Sequence, residues 1–326
     1  MKGKIALEEH WAVDETINIV GQPVAAGPFW EATRAKLVEF RQVRLAGMDK
    51  NGIECAILGL NSPGLQGILD PKQAIEIAHR ANDTLAEEIS HNPKRFAGFA
   101  GLPMQDPDAA AKELTRCVKE LGFKGAMVNC FTQRGEADSA VYYDLPEFRP
   151  FFATVEQLGV PFYLHPRLTL PSRTKAYEGH RWLYGPAWDF GSETATAALR
   201  LMGSGLFDAF PKLQLVLGHL GERIPFDMWR IDNLMRMMPV KHTAKRTISD
   251  YMRNNVHITT SGQFNDVPFH CCLEAVGAAR IMFSVDYPYE AMEPAAQWFD
   301  NTKLPEADRQ AIGRTNAVKL FKLDLT

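Results

Sequence analysis

Little in this chain announces a class by itself. Cysteine is scarce: Cys55, Cys117, Cys130, Cys271 and Cys272 are all there is, and none stands in a C-x-x-C spacing. That removes zinc ribbons and redox pairs, and an odd count fits a reduced, cytoplasmic protein better than a disulfide framework. The adjacent Cys271 and Cys272 read as helix packing. Long apolar runs are missing too, none reaching the roughly 18 residues of a spanning helix, so no membrane partner is expected. The N-terminus runs directly into a charged strand and carries no signal-peptide pattern. Neither sign of charge dominates. Lys and Arg number 36 against 39 Asp and Glu, a net charge of -3, which argues against a nucleic-acid partner. One short basic run, Lys241-His242-Thr243-Ala244-Lys245-Arg246, reads as a solvated loop. No G-x-G-x-x-G or P-loop sequence follows the first strand-like segment, so a doubly wound nucleotide-binding sheet loses its main support.

What is present is alternation. Eight short, apolar, strand-like segments recur: Lys4 to His10, Glu54 to Asn61, Phe96 to Leu102, Gly125 to Asn129, Pro161 to His165, Leu213 to His219, His257 to Ser261 and Arg280 to Asp286. Their composition suits strands covered on both faces. Helical patterns lie between them. Residues 71–92 carry Ala74, Ile77, Ala78, Ala81, Leu85 and Ile89 on one face. Asp106-Pro107 reads as a cap and first helical residue, and Leu121-Gly122 as the stop. Strand and helix alternating eight times point to an α/β fold, the (β/α)8 TIM barrel. The 326 residues fit one such domain over 1–326, since these barrels run from roughly 200 to over 400 residues.

The polar residues at the strand ends carry the chemistry. Glu8 and His10 close the first strand, His165 the fifth, His219 the sixth and Asp286 the eighth. In a closed parallel barrel those ends meet on one face, and Glu8 and His10, two apart on a strand, point the same way. Glu8, His10, His165 and Asp286 therefore read as a metal site. Two carboxylates and two imidazoles suit one divalent ion such as zinc or manganese, and the lack of cysteine ligands argues against a closed structural zinc. Glu222 follows His219 by three residues and can orient its ring as an acid-base dyad. Arg230 can hold a substrate carboxylate or pair with Asp227 or Asp232. Two stretches break the alternation and read as active-site loops: Asn18 to Phe29, and Pro166 to Asp189 with Trp182, Tyr184, Pro186 and Trp188. The remaining histidines, His79, His91, His180, His242, His257 and His270, default to structural roles.

Ala6-Leu7-Glu8-Glu9-His10, Phe162-Tyr163-Leu164-His165-Pro166, Leu217-Gly218-His219-Leu220-Gly221-Glu222 and Phe283-Ser284-Val285-Asp286-Tyr287-Pro288 resemble the amidohydrolase superfamily. More narrowly they are similar to its metal-dependent, nonoxidative decarboxylases of ortho-hydroxybenzoates. The likeness continues through Met228-Trp229-Arg230-Ile231, Thr259-Thr260-Ser261-Gly262 and Leu320-Phe321-Lys322-Leu323. His10, Asn61-Ser62-Pro63 and Val128-Asn129-Cys130-Phe131 resemble the subgroup acting on 2,6-dihydroxybenzoate (γ-resorcylate). Relatives acting on 2,3-dihydroxybenzoate or salicylate tend to lack the histidine. The resemblance implies reversible loss of CO2 from a small aromatic hydroxy acid, with Glu8, His10, His165 and Asp286 as metal ligands. Asp286, His219 and Glu222 would be catalytic, and Arg230, Asn129, Phe190 and Ser261 would bind substrate. It also implies a homodimer or homotetramer. The loop Gly21-Gln22-Pro23-Val24 departs from the pattern by lacking a phenylalanine, leaving room for a ring with an extra methyl or hydroxyl. A hydrolase of the same superfamily is the alternative. Against it, the fourth strand ends in Val128-Asn129 rather than a lysine, and the first offers Glu-x-His rather than His-x-His.

Overall fold

The fold is described from a computed structural model, which covers residues 1–19, 27–238 and 240–325. The Gly21 to Val24 departure lies outside the described residues. Eight parallel strands follow one another around the molecule: β1 (Lys4–Trp11), β2 (Ile53–Leu60), β3 (Phe96–Gly98), β4 (Ala126–Asn129), β5 (Phe162–His165), β6 (Leu215–Leu217), β7 (Val256–Thr259) and β8 (Ile281–Met282). Ladders join β1-β2-β3 and β4-β5-β6-β7-β8. Lys124 N–H to Gly98 O and Ala100 N–H to Gly125 O, both 2.9 Å, link β3 to β4. Asp286 N–H to Glu8 O, 3.0 Å, and His10 N–H to Tyr287 O, 2.6 Å, link β8 to β1. The ring is thereby closed, as the alternation predicts. β3, β6 and β8 are shorter than their apolar runs: Leu213 and Gln214 stay out of β6, and regular pairing stops after Gly98, Leu217 and Met282.

Helices cover the outside. Asp70 caps the helix Pro71–His91, accepting from Lys72 N and Gln73 N, and the face that carries Ala74, Ile77, Ala78, Ala81 and Leu85 is buried. Asp106 caps Pro107–Lys119 in the same way. That helix stops at Lys119, short of the Gly122 that the sequence offered as its end. Among the described residues no helix is long and apolar enough to cross a membrane.

Alternate strand residues fill the interior. Ile5, Leu7, Cys55, Ile57, Phe99, Met127, Tyr163, Val216 and Met282 form one buried cluster, closed underneath by Phe321 and Leu323. Strict alternation after Ile5 and Leu7 would send Glu9 inward and Glu8 and His10 outward. A bulge in β1 reverses this. Ala6 pairs with Ala56 and Glu9 with Leu58, so three steps on β1 oppose two on β2. One extra residue shifts the facing of everything after it, and Glu8 and His10 enter the barrel above Leu7.

Candidate metal and substrate site

Glu8, His10, His165 and Asp286 meet at the carboxyl ends of β1, β5 and β8, and each offers one ligand atom within 4.8 Å of the others. His10 Nε2 lies 3.1 Å from Asp286 Oδ1, and His165 Nε2 lies 3.2 Å from Glu8 Oε1. A divalent ion with ligands at about 2.0–2.2 Å puts neighbouring ligand atoms roughly 3 Å apart. Glu8 Oε1, His10 Nε2 and Asp286 Oδ1 are buried and have no hydrogen-bond partner among the described residues. Lone pairs converging with no hydrogen bond between them fit a shared cation. The other carboxylate oxygen of Glu8 is fully committed: Tyr163 and Ser261 hydroxyls donate to Oε2, with Thr259 at 3.3 Å. Glu8 also presses on β6, where a Cβ at Gly218 would come within 2.5 Å of its Oε2.

The charges follow from this crowding. Burial would raise the Glu8 carboxyl, but the imidazoles of His219, His165 and His10 outweigh it and hold the group well below the usual carboxylate range. Burial likewise pushes Asp286 up, and the His10 and His219 rings beside it bring it down below its ordinary value. His165 is lowered by burial and by His10, which suits a neutral ligand imidazole. Glu9, facing the other side of β1, behaves oppositely. Burial raises its carboxyl to about 8, offset only in part by the Val285 N–H and by Arg44.

Beside the four ligands stands a dyad. His219 Nδ1 is 2.7 Å from Glu222 Oε1, while Nε2 faces Asp286 Oδ2 at 3.5 Å and Glu8 Oε1 at 3.7 Å. Burial lowers the His219 pKa, but the Glu222 and Glu8 carboxylates raise it well above the ordinary value. The local backbone is unusual. His219 (φ 48°), Leu220 (55°), Gly221 (78°), Glu222 (53°) and Arg223 (67°) are five consecutive left-handed residues. A left-handed turn costs an L-residue roughly 1–2 kcal/mol, and it is this turn that swings Glu222 under the His219 ring.

A cavity of about 460 Å³ opens above these groups. Its lining includes His165, His219, Glu222 and Asp286, with Phe190, Tyr184, Pro186 and Trp188 from the long loop after β5 and its helix, and Ile19 and Phe29 flanking the undescribed stretch. Trp182 of the same loop is 70% exposed instead. Of the residues expected against substrate, only Phe190 lines this space. Asn129 lies behind His165: its Oδ1 meets His165 Nδ1 at 3.1 Å, and its amide donates to Pro63 O and Gln66 Oε1. Ser261 lies behind Glu8, donating to Oε2 and accepting from His219 N–H at 3.1 Å. Both orient ligands rather than face the cavity. Arg230 is not brought to the site in this chain. It is exposed on the helix Ile224–Met237, two residues and so about 200° around from buried Met228. Among the described residues it pairs with neither Asp227 nor Asp232.

Other lining residues carried no separate signal. Tyr289, whose ring meets His10 edge-on at 5.4 Å, and Glu290 follow Asp286 by three and four positions. Burial and the Asp286 charge raise the Glu290 carboxyl. Arg167 is buried in the cavity wall and donates to Gln66 O, Phe131 O and Gln133 Oε1, which ties the β5 loop to the end of β4.

The amidohydrolase family profile matches residues 40–323. The chain belongs to the amidohydrolase family. The match begins after Glu8 and His10, and the relatives align over nearly the whole chain. Over 326 residues, 99% of each chain, it is 53% identical to a γ-resorcylate decarboxylase of Rhizobium radiobacter. A crystal structure of 2,6-dihydroxybenzoate decarboxylase complexed with 2,6-dihydroxybenzoate is 52% identical, with a TM-score of 0.95 over 99% of both chains. A dihydroxybenzoic acid decarboxylase from Polaromonas sp. JS666, solved with bound manganese and the inhibitor 2-nitroresorcinol, is 50% identical. It has a TM-score of 0.93 over 99% of this chain and 97% of its own.

Proposed function

We propose that this amidohydrolase is a metal-dependent, nonoxidative decarboxylase that converts 2,6-dihydroxybenzoate to resorcinol and CO2, reversibly. The observation that carries the reading is the joint placement of Asp286, which faces both the ligand His10 and the dyad histidine His219 at the floor of the cavity. The relatives bound to 2,6-dihydroxybenzoate and to manganese support the substrate class and the ion. Glu8, His10, His165 and Asp286 would hold manganese, which supplies charge stabilisation for the substrate carboxylate and its ortho oxygen.

Loss of CO2 from an aromatic acid leaves an aryl carbanion unless the ring carbon is protonated first. The ortho oxygen feeds electrons to that carbon, and Asp286 delivers the proton to it. The new C–H bond forms, the C–CO2 bond breaks, and its electron pair restores the aromatic ring. Asp286 rests as a carboxylate, so its proton must come from elsewhere. His219, kept charged by Glu222, faces Asp286 Oδ2 at 3.5 Å and can pass it one, as can the substrate's own phenol. Phe190 and Trp188 wall the ring, and Asn129 and Ser261 fix the ligands on which the pose depends.

We also read the chain as one barrel domain over 1–326, cytoplasmic in keeping with its free cysteines, and as a homodimer or homotetramer. The helix Ile224–Met237 presents Phe226 and Trp229 to solvent at 81% and 76% exposure, a surface suited to self-association. Light scattering on the purified chain measures that state directly. The reaction is tested by an ultraviolet assay of metal-analysed protein on 2,6-dihydroxy-, 2,3-dihydroxy- and 2-hydroxybenzoate, with CO2 release as confirmation. Conversion of the 2,6-isomer to resorcinol is the expected result. No CO2 from any ortho-hydroxy acid, despite bound metal, would replace this reading with a hydrolase.

A further inference from the structure

Glu9 stands between two metal ligands yet does not face them. The bulge in β1 turns it to the outer side of the barrel wall, where it is 1% exposed and has no cation within ion-pair distance among the described residues. Burying an acidic side chain without a cation is costly unless its hydrogen bonds do something specific. They do. Glu9 Oε1 accepts from Val285 N–H at 3.0 Å and from the Ser284 hydroxyl at 3.2 Å. The same Ser284 oxygen accepts from Leu7 N–H at 3.2 Å and Glu8 N–H at 2.7 Å. Past Met282, then, two side chains take over much of the bonding between β8 and β1.

These bonds end at the residue before Asp286. The Val285 peptide is held on both sides, its N–H by Glu9 and its carbonyl by Gly262 N–H at 3.2 Å. Asp286 follows with φ at 81°, a left-handed backbone that a non-glycine residue keeps only where its surroundings over-determine it. From the other side, Arg44 donates to His10 O at 2.6 Å and lies over the Tyr287 ring at 4.8 Å. We propose that Glu9 is a positioning residue for Asp286: through Val285 and Ser284 it fixes the backbone from which the Asp286 carboxylate reaches both the metal position and His219. This rests on Asp286 being a metal ligand, as the proposed function has it, and not on its being the acid or on which hydroxybenzoate is the substrate.

The test is a double-mutant cycle on manganese affinity, read by calorimetry with the Mn(II) electron paramagnetic resonance spectrum of each chain. Orienting groups behind a ligand typically change metal affinity about 10- to 100-fold. Glu9→Ala should therefore weaken Mn²⁺ binding at least about tenfold in the native background and under about threefold beside Asp286→Asn. Glu9→Gln keeps the Oε1 acceptor and should restore affinity, spectrum and kcat to within about threefold. Equal weakening in both backgrounds, or no rescue by Gln, would mean that Glu9 only holds the wall together and would overturn the proposal. If Glu9→Ala does not fold, Ser284→Ala breaks the same link with Glu9 in place, and the cycle is read with it. A cycle that behaves as expected in a chain that decarboxylates nothing would remove the proposed reaction and leave this role standing.

Discussion

The barrel is closed at two seams, and they are built differently. Between β3 and β4 the work is done by backbone alone, through Lys124, Ala100 and the Ala100–Ala126 bridge. Between β8 and β1, among the described residues, two backbone bonds remain, and Ser284 and Glu9 side chains supply the rest. A backbone ladder demands extended geometry on both sides. Side-chain bonds do not, so the second seam tolerates a bulge in β1 and a left-handed Asp286. The seam that carries ligands is the one freed from strand geometry.

That difference can be pushed until it breaks. The largest expected effect is removal of the ion: dialysis against a chelator should abolish turnover, and Mn²⁺ should restore it. Next is Asp286→Asn, expected to lower kcat by about 10²–10⁴-fold, the usual contribution of a placed proton donor, with substrate binding retained in titration calorimetry. A variant keeping more than about a tenth of the rate would remove Asp286 as the acid. The two seams are then set against each other. Ser284→Ala should lower kcat about tenfold or more and also cost stability, since the Leu7 and Glu8 N–H groups lose their acceptor. Gly125→Ala, beside the β3–β4 seam, should cost stability alone, because its Cβ would come within 2.5 Å of the Pro161 carbonyl oxygen on the β5 side. Overpacking of that kind costs about 1–3 kcal/mol, so the melting point should fall by several degrees with kcat of the folded fraction unchanged. If both variants lose kcat equally, the seams are not functionally distinct.

The smallest effect is one of pH. His257, at the opposite end of β7 from the site, is lowered to about 3 by burial and by Arg280 and Lys319. The unfolded chain takes up that proton near the ordinary value of 6.5, the folded chain only near 3. Stability from this group is therefore complete above about 6.5 and is lost as pH falls toward 3, at most about 1.4 kcal/mol per unit. Melting curves from pH 7 to 4 should decline less steeply in His257→Gln than in the native chain.

The sequence was most legible where spacing and chemistry agree. Eight apolar runs and an Asp-Pro helix start yield the barrel, and polar residues closing the runs place Glu8, His10, His165, His219 and Asp286 on one face. Facing was not legible. Nothing in Leu7-Glu8-Glu9-His10 reveals the bulge, which is a property of pairing with β2, so which glutamate faces the metal position cannot be read from alternation. Nor could Asn129 and Ser261 be told from substrate contacts, since a polar residue at a strand top looks the same whether it faces the cavity or the back of a ligand. Arg230 suggested a carboxylate clamp by its chemistry. Its place on the helix, set by the burial of Ile224, Pro225 and Met228, turns it away from the cavity of its own chain.

The left-handed run from His219 to Arg223 bears on how this enzyme can change. Leu220 sits in it with its carbonyl accepting from the Cys272 thiol at 3.3 Å, and a Cβ at Gly221 would stand 2.9 Å from Ile258. β-branched replacements at 220 or 222 are closed off by the turn itself, whatever they would do for binding. The dyad is therefore a poor place to retune the enzyme for a new ring. Substrate range has to drift through the aromatic wall around Tyr184, Trp188 and Phe190, none of which has a left-handed backbone, so that neighbours can exchange one side chain at a time. A designer grafting the dyad onto another barrel would have to carry all five residues, with the Cys272 and Ile258 seat beneath them.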